Sequence, residues 1–286
     1  MSELRIGISG WRYVPWRGVF YPRGLAQRRE LEFASRQLNS IEINGSFYSL
    51  QDVPSWQRWF AETPDDFVFS VKGSRFITHM KKLNNVEKPL ANFFAQGLLA
   101  LKEKLGPILW QFPPTFTLDL SKFEDFFRQL PHDFKEAAKL ARRHDERLAD
   151  DSWFRVDKTL LSRPVRHAVE IRHESFRSVK FLELLQRSNI SIVAADTAGK
   201  WPFIEEITSN FVYARLHGDK QIYVSGYTPA ALDQWAKKIH AWRTKQLDVF
   251  IYFDNDVKVR APFDALALTQ RTAFSRFRRN RNTAAS

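Results

Sequence analysis

Short apolar or β-branched runs recur along the whole chain, each closing on polar residues. Eight of them have strand length: Leu4–Ser9, Ser40–Asn44, Phe67–Lys72, Pro107–Phe112, His167–Arg172, Ile190–Asp196, Phe211–His217 and Val249–Asp254. The segments between them carry helical spacing. Leu31, Ala34 and Leu38 share a face before the second strand. Leu232, Trp235, Ala236, Ile239 and Trp242 do the same after Thr228, an N-cap type, and Pro229, which suits a first helical position. Pro54 and Pro262 mark further helix starts. Strands alternating with helices predict a parallel sheet, because parallel neighbours need a crossover connection. For eight strands, closure into a single (β/α)8 barrel of the TIM type is the simplest arrangement. A doubly wound open sheet is the alternative, although no GxGxxG turn follows the first strand. One domain is expected over 1–274, with a charged insertion around 132–163 that holds a helix over Lys135–Leu148. A basic, disordered tail is expected over 275–286.

Side chains on a strand alternate between faces, so every second residue belongs to one side of the sheet. One face reads Ile6/Ile8, Ile41/Ile43, Phe69/Val71 and Val169/Ile171, which suits packing under helices. The other face turns polar towards the strand ends: Glu42 and Asn44, Ser70 and Lys72, Leu109 and Gln111, Glu170 and Arg172, Ala194 and Asp196, Arg215 and His217, Tyr252 and Asp254. Ionised groups turned into a barrel cost several kcal/mol unless paired, and strands built for stability alone would carry Val, Ile or Leu there. The C-terminal mouth is therefore the expected functional site, and a salt-bridge lattice that only fills the barrel is the competing reading. His79 and His173 lie just beyond strands and join the set; Trp11, Tyr13, Trp16, Phe47, Tyr48, Trp201, Tyr223 and Tyr227 fall in the following loops.

Composition narrows the chemistry. The 286 residues contain no Cys, which excludes disulfides, thiolate metal sites and a thiol nucleophile and fits a reducing, cytoplasmic setting. The opening residues run straight into a strand, without a charged-then-apolar leader, and no apolar stretch is long enough to span a bilayer, so no membrane partner is expected. The formal charge is +12; five arginines in the last sixteen residues account for part of it, and 12 − 5 leaves +7 on the body. That excess favours an anionic ligand, either a small molecule or a nucleic acid. The 25 Phe and 9 Trp can fill wide spaces between sheet and helices or stack on flat ligands.

Three chemistries suit the polar set. Lys72, Arg172 and Arg215 could clamp a phosphate or carboxylate. The histidines with Glu170 and Asp196 could hold a divalent metal that activates water, although no tight ligand pair such as HExxH is present. Glu42 and Glu170 could form an acid–base pair of the glycosidase kind. A Ser/His/Asp relay lacks its GxSxG elbow, and Ser9 is only a rim hydroxyl.

The stretches GISGWRY (7–13), WRGVFYP (16–22), SIEINGSFYSL (40–50), DFVFSVKGSRFITH (66–79), LGPILWQFPP (105–114), RHAVEIRHESF (166–176), FVYARLHGD (211–219) and YFDND (252–256) follow one another in an order that resembles the YecE-like family, domain of unknown function 72. The resemblance runs to about Leu268 and implies a TIM-type barrel. It marks Gly10, Trp11, Glu42, Asn44, Lys72, His79, Gln111, Glu170, Arg172, His173, Arg215, His217 and Gly218 as signature positions. Two departures stand out: Asp254–Asn255 where the family has two asparagines, and Phe176 where Trp is common. The family implies no settled activity.

The leading expectation is a hydrolase-type enzyme acting on a phosphate-bearing or otherwise anionic ligand, by acid–base or metal-assisted chemistry. Glu42, Glu170, His173 and His217 are its candidate catalytic groups. Trp11, Asn44, Lys72, His79, Gln111, Arg172, Asp196, Arg215, Tyr252, Asp254 and Asn255 are its candidate binding groups. A non-catalytic binder of an anion or nucleic acid and a carbohydrate hydrolase are the alternatives. The oligomeric state is not legible in the sequence.

Overall fold

A computed structural model describes residues 2–148 and 156–282, with side chains to residue 273. Eight parallel strands close on themselves in chain order, β8 pairing with β1. They are β1 (Leu4–Ser9), β2 (Ser40–Ile43), β3 (Val68–Lys72), β4 (Leu105–Gln111), β5 (His167–Glu170), β6 (Ser191–Asp196), β7 (Phe211–Leu216) and β8 (Asp248–Phe253). The helical segments between them include α1 (Glu30–Gln37), α2 (Gly45–Tyr48), α3 (Val53–Glu62), α4 (Glu87–Ala95), α5 (Leu120–Gln129), α6 (Phe134–Ala141), α7 (Val179–Arg187), α8 (Pro229–Thr244) and α9 (Ala261–Asn282). The expected barrel is the observed one, and the open-sheet alternative falls with β8–β1 closure.

Local chemistry starts the helices where the sequence suggested. The Thr228 side chain accepts from the Ala231 amide with Pro229 in the first turn, and Asp52 caps the Pro54 helix by accepting from Ser55. Trp56 and Trp59 on α3, and Trp235, Ile239 and Trp242 on α8, are buried against the outer face of the strands. That layer between sheet and helices is the large core, and it uses most of the chain's aromatic rings. A smaller apolar cluster fills the barrel itself, with Val68, Leu109, Ala168, Val193, Phe211 and Phe250 among its members. Tyr213 and Tyr252 lie one layer nearer the mouth, and their hydroxyls bond Ser70 and Ser40 across the barrel at 2.7 Å. Gly7 belongs to this tight interior: a Cβ there would lie 1.9 Å from the Ser40 carbonyl oxygen.

Three sequence expectations are corrected or refined. First, β6 has the opposite phase. Val193 and Ala195 face the interior, Ala195 in register with Arg215, while Ala194 and Asp196 face the helix layer. The run Ile192–Ala195 is uniformly apolar, so alternation could not fix its phase, and the polar Asp196 misdirected it. Second, the helix expected over Lys135–Leu148 ends at Ala141. Asp145 and Asn92 exchange two 3.0 Å hydrogen bonds, and these pull the chain onto α4. Residues 149–155 of the charged insertion lie outside the described residues. Third, α9 continues to Asn282, so the backbone of the tail is helical from 275 to 282; residues 283–286 lie outside the described residues.

Candidate active site at the barrel mouth

Several strands end one or two residues earlier than the apolar pattern implied, so Asn44, Arg172, His217 and Asp254 sit just past the strand ends. That is where barrel enzymes carry their chemistry. The centre of the mouth is Arg215, which is fully buried on β7. Its guanidinium donates to Glu42 through Nε (3.1 Å) and Nη2 (2.8 Å), to Glu170 through Nη1 (2.7 Å) and to Asp254 through Nη2 (3.0 Å). Three carboxylates from three strand ends thus share one cation. Glu42 accepts in addition from Ser9 Oγ (2.9 Å) and Tyr213 Oη (2.6 Å). With four donors around it and no exposure, Glu42 is saturated.

Glu170 is fully buried and also accepts from Arg172 Nε at 2.8 Å. Burial alone would raise its pKa, but the flanking Arg172 and Arg215 outweigh that and hold it well below the usual carboxylate range. Asp254 is held low in the same way, against its burial, chiefly by Arg215 and then by His217. The His217 ring lies between them. Its Nδ1 lies 3.0 Å from Asp254 Oδ2, and its Nε2 faces Arg215 Nη1 at 3.5 Å. Arg172 lays its guanidinium over the Trp201 ring, 3.9 Å from the centroid, a cation–π contact that orients it over the mouth.

Lys72 ends β3 and is 8% exposed. Among the described residues its Nζ makes no hydrogen bond or ion pair, and its contact is the face of Phe47 at 4.3 Å. Burial, reinforced by the Arg215 charge, lowers its pKa to about 8, although Asp254, Glu42 and Glu170 pull the other way. His79 packs edge-on against the same Phe47 ring (5.1 Å) and is flanked by Thr78 Oγ1 at Nδ1 (2.8 Å) and by Gln111 Nε2 at Nε2 (3.4 Å). Partial burial and then Lys72 lower its pKa to about 4, so its imidazole is neutral at physiological pH.

The structure therefore gathers Glu42, Lys72, His79, Gln111, Glu170, Arg172, Arg215, His217 and Asp254 at one mouth. It places the other candidates elsewhere. Asp196 points to the helix layer, where it accepts from Trp235 Nε1 (3.4 Å) and the Tyr227 hydroxyl. His173 is half-buried, and its Nδ1 is committed to the amide and hydroxyl of Ser175. Tyr252 is barrel filling below the charged layer. Asn255 ties Ser225 O and Asp264 Oδ2 together from a fully buried position. Trp11 packs edge-on against Trp59 and, with Asn44 and Tyr48, lines a separate cavity of about 240 Å³ over the ends of β1 and β2. The +7 of the body does not concentrate at the mouth, where Lys72, Arg172 and Arg215 face an equal number of carboxylates.

The divalent metal raised as one option does not suit this donor set. Among the described residues no three His, Asp or Glu side chains are placed to share an ion, because the carboxylates converge on a guanidinium. Sequence reasoning overlooked Tyr213, which fixes Glu42. Its strand alternation with Arg215 was the available signal, but a tyrosine there passes for barrel filling.

Residues 5–285 match the family model described as protein of unknown function DUF72. Among curated proteins, the UPF0759 protein YunF of Bacillus subtilis is 23% identical over 286 residues, which span 88% of this chain and 89% of that one. The UPF0759 protein YecE of Escherichia coli K12 is 26% identical over 187 residues, 62% of this chain and 65% of YecE. A solved DUF72 family protein from Thermotoga maritima superposes with a TM-score of 0.74 at 22% identity, covering 94% of this chain and 98% of that one. One from Enterococcus faecalis gives 0.71 at 16% identity, over 94% and 95%. At these identities the structural likeness shows the shared barrel fold.

Proposed function

We propose, from the premise that the chain belongs to the DUF72 family, that its barrel mouth is an acid–base active site for a small anionic substrate, phosphate-bearing or carboxylate. The mouth has two layers. Arg215, Glu42, Tyr213 and Ser9 bond one another fully and form a rigid platform. Above it Lys72 and Arg172 keep donors unspent among the described residues, His79 Nε2 meets the Gln111 amide at a long 3.4 Å, and His217 Nδ1 faces Asp254 Oδ2 at 3.0 Å. Arg172 and Lys72 hold the anion, His79 and His217 move protons, and Glu170 and Glu42 position the cations. The observation that carries this reading is the Lys72 ammonium, buried without a direct anionic partner among the described residues, since such burial costs stability unless a ligand completes it.

The balance of charge favours a small ligand that meets one or two cations over a nucleic-acid backbone, which needs an uncompensated track of them. A two-carboxylate glycosidase mechanism fits less well. It needs a general acid that is protonated near neutrality, whereas Glu170 is held ionised and Glu42 is saturated by donors.

Thermal unfolding with inorganic phosphate, sugar phosphates and nucleoside monophosphates tests the reading. A ligand at about 100 times its Kd adds about 2.7 kcal/mol to the folded state. Several degrees of stabilisation are expected in the native protein and none in Arg172→Ala. Equal shifts in both proteins, or none with any anion, would overturn the proposal.

A further inference from the structure

We propose that Lys72 is a nucleophilic amine that forms an imine with a small carbonyl compound bearing an anionic group; this rests on the anion-holding reading above and names its substrate class. The chain contains its own comparison for a buried lysine. Lys104, 3% exposed, donates to Phe60 O (2.7 Å), Thr63 O (2.8 Å) and Thr63 Oγ1 (3.3 Å), so all three ammonium protons are used. That is how a structural lysine is accommodated. Lys72 is nearly as buried and, among the described residues, has no acceptor at all. It lies against the face of Phe47, a surface that tolerates a neutral amine as readily as an ammonium.

The surroundings supply what imine formation needs. The groups around Lys72 are Glu42 on β2, His79 after β3, Glu170 and Arg172 at β5, Arg215 and His217 at β7 and Asp254 at β8. Their balance and the burial leave the ammonium pKa at about 8, so roughly a tenth is free amine at pH 7. Arg172 turns Nε and Nη2 to Glu170 Oε1 and leaves its remaining nitrogen without a protein acceptor among the described residues, a seat for the substrate's anionic group. The Nζ lone pair attacks the carbonyl carbon and the C=O π pair moves to oxygen. His79, neutral and held against the same ring, takes the proton that frees the Nζ lone pair and delivers it to the alkoxide, then carries a second proton from nitrogen to the resulting hydroxyl. Water then leaves as the C=N bond forms. The ammonium and the carbonyl compound give a protonated imine and one water, with no oxidant or reductant.

Reductive trapping tests this. The full-length protein is incubated with pyruvate or dihydroxyacetone phosphate and sodium cyanoborohydride, then analysed by intact mass and peptide mapping. The expected result is one adduct, the mass of the reagent less one oxygen, on Lys72, with a labelling rate whose pH midpoint is near 8. Asp254→Asn removes a neighbouring negative charge and should move that midpoint downward. Lys72→Arg removes the nucleophile, so trapping should fall at least tenfold. Labelling spread over exposed lysines equally in native protein and Lys72→Arg would overturn the inference, as would a midpoint near 10.5. No adduct in a native protein that still binds phosphate sinks the imine alone, whereas no adduct and no anion binding sinks both readings.

Discussion

At the scale of single residues, the mouth separates charges that hold one another from charges that wait. Arg215 is satisfied by three carboxylates, and each of those has at least one further cationic, imidazole or hydroxyl neighbour. Lys72 is not satisfied, and its lowered pKa is a stability cost as well as a chemical asset. The folded pKa of about 8 lies below the unfolded value, so the penalty is full below pH 8 and disappears as the pH rises towards 10.5. Lys72→Met should therefore stabilise the protein by about 1–3 kcal/mol at pH 7, with the gain shrinking between pH 8 and 10.5. Urea titrations across that range measure it, and a destabilised Lys72→Met at pH 7 would contradict the assignment of an uncompensated ammonium. The residue types of this centre were legible in the sequence, since Glu42, Lys72, Glu170, Arg172, Arg215 and Asp254 fall on one face by alternation. Their division of labour was not. Whether a carboxylate is a proton donor or a clamp depends on which donors reach it from other strands.

At the scale of elements, alternation and capping carried most of the information. The strands follow the apolar runs, and α3 and α8 begin at Asp52 and Thr228 with proline in the first turn. β6 resisted because its apolar run has no polar marker until Asp196, and its phase is set by pairing Ala195 with Arg215 on β7. α6 is short for a tertiary reason, the exchange of hydrogen bonds between Asp145 and Asn92 on another helix. Close approach between β1 and β2 gives a sharp test of the barrel interior. Gly7→Ala would drive a methyl group onto the Ser40 carbonyl, and a loss of more than about 4 kcal/mol is expected. Circular dichroism and the urea midpoint check it; a native-like midpoint would mean that the strands can separate locally.

At the scale of the whole molecule, two imidazoles, one buried and one half-buried, couple folding to pH. His167 is buried at the far end of β5, with Nε2 facing Pro131 O (2.8 Å) and Nδ1 accepting from Trp110 Nε1 (3.1 Å). A proton on Nδ1 would oppose the indole N–H, and burial lowers the pKa of His167 to about 4, as it does for the half-buried His79. The unfolded chain binds those protons near pH 6.5, so stability should be level between pH 8 and 6.5 and fall between 6.5 and 4. Below about pH 4 the loss should steepen as Glu170 and Asp254, both held low in the folded state, take up protons. Urea midpoints from pH 8 to 4 give the curve, and His167→Gln should flatten its upper part; an unchanged slope would refute the role of His167. The sequence by itself determined the barrel, the mouth and the kinds of group that line it, because strand period, helix starts and inward charge are local properties of the chain. Only the tertiary structure decided that Asp196 and His173 stand apart, that Glu42 is saturated and that Lys72 is left without a partner among the described residues. Those outcomes depend on distances between strands far apart in sequence, and strand spacing says nothing about which donors meet which acceptors across the barrel.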